Sequence, residues 1–293
     1  KEIKYNLDYN SIFISLSNFL FSKKLKQKRI KIKKIINWFE NQCVDKGWNF
    51  GFRINFKNSE QIGYQAMTNA PMYHSLSPSQ YEDSFKVIPK KIAVINRSLI
   101  KERSRFLKNK NNFILSPALR SQDVFNIKYK KNRTCKIVVF LEGNKISSDL
   151  RIVKKFIYVA QRLPELVIYI KKHPRLNFDE STLLVPNNIR FSSKSFSNLA
   201  SKCKISSCGG ATTTVLQSLA YGCQLIIPTN NGYDRKTFKS LKIPNKNFKI
   251  CDNEIELLNA VKHFINRNIN FKKISLESMF EKINNKNIQI FLN

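Results

Sequence analysis

The chain is poor in several residue types, and each shortage narrows what it can be. Glycine (8), methionine (3), tryptophan (2) and histidine (3) are scarce among 293 residues. Lysine, asparagine, isoleucine and phenylalanine fill their place, the bias an AT-rich genome imposes. The six cysteines, Cys43, Cys135, Cys203, Cys208, Cys223 and Cys251, form no Cys-x-x-Cys pair and have no histidine at ligand spacing. That argues against a zinc module and reads as reduced, mostly buried thiols of a cytosolic protein. No Asp-x-Asp pair offers an obvious metal site, so none is expected. The longest apolar run, around Ile12 to Phe21, is too short and too broken by Ser and Asn to span a bilayer. No signal-peptide pattern precedes it. The chain starts at Lys1 rather than Met, so its first domain reads as reduced or lacking its beginning.

Negative charge is also scarce. Asp and Glu number 20 against 52 Lys and Arg, a formal net charge of +32. Charge of this sign attracts polyanions. Yet the lysines are scattered, and no zinc-finger spacing, RRM signature or basic zipper accompanies them, so nucleic acid is not the expected partner. A nucleotide diphosphate or an anionic lipid surface fits better. The stretch Lys23 to Lys34 either touches such a membrane or is a solvated helix end.

What is present is globular: 42% hydrophobic and 25% charged residues, in a length sufficient for two domains. In the second half, β-rich runs at Lys136 to Leu141, Leu166 to Ile170, Ile189 to Ser192, Lys204 to Cys208 and Gln224 to Ile227 alternate with helical segments. The helices run from Ser147-Ser148, which offer an N-cap, to Leu163, from Phe196 to Cys203, and from Ala211 to Tyr221. This alternation predicts a parallel sheet with helices on both faces and ligands at the carboxyl ends of the strands. The first half repeats the pattern more thinly, with strands at Ile32 to Phe39, Gln61 to Tyr64 and Ile92 to Ile95 and a helix near Gly47 to Phe56. The expected architecture is α/β: two Rossmann-like domains facing a cleft, residues 1–115 and 134–293. The Asn- and Lys-rich stretch Lys108 to Arg133 is the linker candidate.

Candidate chemistry gathers at predicted strand ends. In Ser206-Ser207-Cys208-Gly209-Gly210-Ala211-Thr212-Thr213-Thr214 a strand turns into a helix. Unpaired amides, the helix dipole and the hydroxyls of Ser206, Ser207, Thr212 and Thr213 suit a nucleotide phosphate, and Gly209 and Gly210 allow close approach. A tight turn with a Thr cap and nothing bound is the alternative. His173 follows another strand among Lys171, Lys172, Pro174 and Arg175. There it either stabilises a leaving phosphate or is an ordinary surface histidine. Glu142, before Gly143, is a candidate base or a helix cap. In the first half Glu40, Asn41, Gln42 and Asp45 follow an apolar strand, where an acceptor would be contacted or a base supplied; a solvated loop is the plainer reading. Tyr81, Glu82 and Asn96 are weaker candidates of the same kind.

Lys172-His173-Pro174-Arg175 resembles the His-Pro motif of bacterial sialyltransferases and Kdo transferases of GT-B fold, and Ser206-Ser207 resembles their paired-serine motif. Leu141-Glu142-Gly143 is similar to their acidic-acidic-Gly motif, with Leu141 at the first acidic position. The pattern from residue 32 to 262, with Trp38 to Lys46, also resembles surface-polysaccharide biosynthesis proteins of bacterial carbohydrate gene clusters. The resemblance implies a cytoplasmic glycosyltransferase, peripheral on the inner face of the membrane. It would move a sugar, such as a CMP-linked acidic sugar, from a nucleotide-sugar co-substrate to a glycan or glycolipid acceptor, without an obligatory metal. His173 would assist departure of the phosphate, which Lys172, Pro174 and the serines would help bind, and Glu142 would be the base. A nucleotide-sugar 2-epimerase and a non-catalytic nucleotide-sugar-binding subunit are the alternatives.

Overall fold

The computed structural model describes residues 9–67, 74–127, 133, 135–143, 145–174, 178–209, 213–229, 247–266 and 279–292. The chain divides into two compact units. One comprises Lys1–Met67, Tyr73–Gln122 and Glu277–Asn293; the other comprises Thr68–Met72 and Asp123–Leu276. The final segment therefore groups with the first unit, not with the second as the 134–293 boundary had it.

The first unit carries a parallel sheet of β1 (Lys34–Trp38), β2 (Glu60–Gln65), β3 (Lys91–Val94) and β4 (Phe113–Leu115), in that order. Along β1 the side chains alternate, Ile35 buried and Ile36 and Trp38 exposed, as a strand with one covered face requires. Ile35 packs on Phe52 of helix α2 (Cys43–Asn55) and on Phe56, its C-cap. Helix α1 (Tyr9–Gln27) lies against α2, and two glycines allow the approach. A Cβ on Gly47 would fall 1.7 Å from the carbonyl oxygen of Ser15, and one on Gly51 2.3 Å from Ser22 Oγ. Short helices α3 (Gln80–Ser84) and α4 (Arg97–Arg103) flank β3. The supposed linker Lys108 to Arg133 contains β4, which pairs Phe113 with Ile92, and a 3-10 segment, Leu119–Asn126. A three-residue strand among Asn and Lys leaves little periodic signal. The last described helix, α9 (Asn285–Leu292), is tied to this sheet by Lys34 Nζ donating to the Ile290 carbonyl and by an edge-on contact of Phe291 with Tyr64.

The second unit has six parallel strands: β5 (Cys135–Phe140), β6 (Ile168–Lys171), β7 (Ile189–Phe191), β8 (Cys203–Cys208), β9 (Gln224–Pro228) and β10 (Phe248–Cys251). Their order across the sheet is β10-β9-β8-β5-β6-β7. One face is covered by α5 (Ile146–Arg162) and α8 (Glu254–Asn266), whose Ile152, Phe156, Val159, Leu257, Val261 and Phe264 share a core with Ile137, Val139, Ile205 and Ile226. Each such side chain, once buried, contributes about 1.5–3 kcal/mol. The other face meets α6 (Phe196–Ala200) and α7 (Thr213–Ala220), with Phe140 and Tyr221 against the Phe196 ring. Helices cover both faces, as the alternation in the sequence predicts. The chain starts at β5, moves outward to β6 and β7, and returns to the far side of β5 as β8. That reversal opens a crevice beyond the carboxyl ends of β5 and β8, the place where such sheets take ligands.

Candidate functional site

At this crevice three turns meet. The first, Leu141-Glu142-Gly143, leaves β5 and is held by Asp149 in the first turn of α5. The Asp149 carboxylate accepts the backbone N–H of Glu142 at 3.1 Å and that of Gly143 at 3.2 Å. Asp149 is only 1% exposed. Burial raises its pKa above the ordinary 3.8, against the opposing pull of the two N–H groups and of His173. Ser147 and Ser148, expected to cap α5, lie within its first turn. The N-cap position is Lys145, with no side-chain cap.

Gly143 has φ +71°, and a Cβ there would lie 2.3 Å from both Cγ and Nδ1 of His173. Two independent constraints therefore require glycine: the left-handed backbone and the imidazole lying on its Cα. His173 reaches this point because β6 pairs with β5, Ile170 opposite Val139 and Lys171 opposite Phe140.

Gly209, beyond β8, extends the ladder by donating its N–H to Phe140 O at 3.3 Å. A Cβ on it would meet Ile152 Cδ1 at 2.5 Å and Glu142 Cγ and Oε1 at 3.0 and 3.1 Å. The space left by this missing side chain is thus taken by Glu142 and Ile152 rather than kept for a ligand. Glu142-Gly143 bridges the other two turns, with the glutamate on Gly209 and the glycine under His173.

Other expected residues are placed differently. Ser206 is fully buried, its Oγ 2.8 Å from Ser218 Oγ of α7. It ties β8 to α7, because strand alternation turns residues 206 and 208 to that side. Ser207 points to the opposite face; it too is buried, and its hydroxyl has no partner among the described residues. Lys172 is engaged by Glu180 at 2.6 Å and lies over the Phe178 ring. Pro174 is exposed in the turn after His173. Thr213 opens α7, whereas Gly210 and Thr212 lie outside the described residues, as does Arg175. The thiols of Cys208 and Cys223 are pushed by burial to about 12 and about 11, too high for a reactive thiolate.

In the first unit the four acceptor-side candidates are close together and largely satisfied by one another. Asp45 accepts the N–H of Gln42 at 2.9 Å and of Glu40 at 3.1 Å, closing the start of α2, so it serves as a cap and not as a free base. Burial raises its pKa while these two N–H groups pull the other way. Glu40 accepts from Trp38 Nε1 at 2.6 Å and from Gln42 Nε2 at 2.8 Å. Asn41, at φ +60°, contacts Lys46 and Glu82, which themselves form an ion pair. Tyr81 is exposed and stacks on Phe85, and Asn96 caps α4 by accepting the Ser98 N–H.

Sequence reasoning missed Asp149. Its signal was an aspartate in the first turn of the helix that follows the Glu-Gly turn, six residues beyond Gly143.

No known protein family matches the chain, and no curated protein matches it in sequence. Solved structures resemble it in fold. The glycotransferase of kitacinnamycin superposes with a TM-score of 0.54 at 9% identity, over 89% of this chain and 75% of that one. The spinosyn rhamnosyltransferase SpnG gives 0.54 at 9% identity, over 88% and 71%. A UDP-N-acetylglucosamine 2-epimerase gives 0.57 at 9% identity, over 92% and 72%. The class of fold is therefore α/β with two parallel sheets, that of GT-B glycosyltransferases and of this epimerase. At such identity the likeness is one of fold.

Proposed function

We propose that the chain is a glycosyltransferase that takes its sugar from a nucleotide-sugar donor bound to the second unit. The observation that carries the reading is the convergence of His173, Glu142-Gly143 and Gly209 at the switch point of the second sheet. His173 would donate a hydrogen bond to the departing phosphate, and the N-terminal amides of α7 would face the same charge. Glu142 is the candidate base for the acceptor hydroxyl. The His-Pro and Glu-Gly elements further support a CMP-linked acidic sugar as donor, used without an obligatory metal. A surface polysaccharide or lipopolysaccharide acceptor would then be met by the first unit on the cytoplasmic face of the membrane. The serine pair contributes little to this reading: both serines are buried, and Ser206 is bonded to Ser218.

The test is calorimetric titration of the purified chain with CMP, UDP and GDP compounds, followed by transfer assays with the sugar nucleotide of the base that binds. His173→Ala is expected to lower turnover by about 10²- to 10⁴-fold while the protein stays folded. Unchanged turnover would remove His173 from the mechanism, and failure to bind any nucleotide would remove the donor site.

A 2-epimerase is the second reading, favoured by two observations. An epimerase is among the solved structures of this fold, and Glu142, Asp149 and His173, which can move protons, lie together in one unit. NMR of the sugar nucleotide without acceptor separates the two, because an epimerase changes the sugar while it is still attached. Tight binding with neither reaction would identify a non-catalytic subunit.

A further inference from the structure

Helix α1 carries apolar residues on both of its sides: Phe19 meets Phe50, Phe21 meets Trp48 and Leu25 packs on the Ile35–Phe52 cluster, while others face outward. Its small polar residues face α2: Ser15 Oγ accepts the Gly47 N–H at 2.8 Å, Asn18 Nδ2 donates to Val44 O at 3.1 Å, and Asn55 Nδ2 donates to Ser22 Oγ at 2.9 Å. Ser15, Asn18 and Ser22 are spaced i, i+3, i+7 and form one stripe. The stripe at the same spacing on the outside is Phe13, Leu16 and Leu20, which are 70%, 54% and 50% exposed, flanked by Ile12 and Ile14 at 46% and 47%. The packing on α2 leaves the Phe13, Leu16 and Leu20 stripe uncovered, and an apolar patch of this kind marks a docking surface.

The charge beside the patch indicates what docks. Lys23, Lys24, Lys26, Lys28, Arg29, Lys31 and Lys33 follow directly and are all exposed, and no acidic residue occurs from Tyr9 to Phe39. An apolar stripe continued by cations matches a surface that is apolar beneath and anionic above. A second copy of the chain fits poorly, since it would bring another net charge of +32 to the contact. No helix among the described residues is long and apolar enough to cross a membrane. We infer that α1 lies in the plane of an anionic bilayer surface, Phe13, Leu16 and Leu20 entering the acyl boundary and Lys23 to Lys33 meeting lipid phosphates. The inference is independent of the proposed transfer reaction.

Co-sedimentation of the whole chain with phospholipid vesicles tests it. Wild type is expected to bind phosphatidylcholine vesicles containing about one third phosphatidylglycerol at least tenfold more tightly than pure phosphatidylcholine ones. The exposed-site variants Phe13→Ser/Leu20→Ser and Lys28→Glu/Lys31→Glu should each weaken that binding about tenfold, with circular dichroism and thermal midpoint unchanged. Three results would overturn the inference. They are a wild type with no preference for anionic vesicles; a folded Phe13→Ser/Leu20→Ser variant that binds them as wild type does; and a wild type that binds no vesicles but self-associates in sedimentation equilibrium and becomes monomeric with the same pair of substitutions.

Discussion

Asp149 does through hydrogen bonds what no substrate contact would reveal. By holding the N–H groups of Glu142 and Gly143 it fixes the turn that carries both the candidate base and the seat of His173. Its pKa is raised in the folded state, so its contribution to stability is fully present below the ordinary value of 3.8 and is lost as pH rises through the folded value. Asp149→Asn cannot ionise. Urea unfolding at stepped pH should therefore show wild type losing stability relative to this variant as pH rises above 3.8. A constant difference would mean that burial does not raise the Asp149 pKa in the folded state. Gly143→Ala should cost more than about 1 kcal/mol from its left-handed backbone alone and should displace the imidazole as well. Equilibrium unfolding reads the first effect and turnover the second. Ser206→Ala removes the Ser218 hydroxyl's 2.8 Å partner and leaves it the weaker Cys208 thiol at 3.6 Å, so a loss of about 1 kcal/mol is expected with nucleotide affinity unchanged. A weakened nucleotide affinity would restore Ser206 to the donor site.

At the scale of elements, legibility followed periodicity. Strands β5, β6 and β9 are rich in Ile, Val and Leu, β8 is marked by the Gly209-Gly210 pair that follows it, and the sequence places each to within a few residues. The carboxyl-edge location of His173, Glu142 and Gly209 follows from those strands. Which way each side chain turns does not: one residue of register separates Ser206 from Ser207, and only pairing with α7 decides which serine faces it. Strand β4 was hidden by its three-residue length. Helix α1 was hidden because apolar residues lie on both its inward and its outward sides, so no periodic stripe marks the buried one. The α1–α2 contact depends on the bare Cα of Gly47. Gly47→Ala would force apart backbones that leave a Cβ only 1.7 Å from Ser15 O. We expect amide hydrogens of α1 to exchange faster in this variant while those of β5 and β8 keep their protection.

For the whole molecule, connectivity matters more than composition. The first unit is built from three stretches of chain, the last of them distant in sequence: Ala118 N–H donates to Glu281 O, and Glu281 N–H donates to Ile95 O. Removing residues 285–292 should therefore lower the stability of the first unit and spare nucleotide binding to the second, a difference that limited proteolysis combined with nucleotide titration would detect. Equal loss in both would show that the two units fold as one.

That stitch at Glu281 also sets an order of events during synthesis. A ribosome working from the amino terminus releases the strands of the first sheet early, yet the segment that completes their packing emerges only after the entire second sheet. The half of the protein made first is thus the half finished last, and until then the outward phenylalanine and leucines of α1 belong to an incomplete body within reach of chaperones or a nearby bilayer.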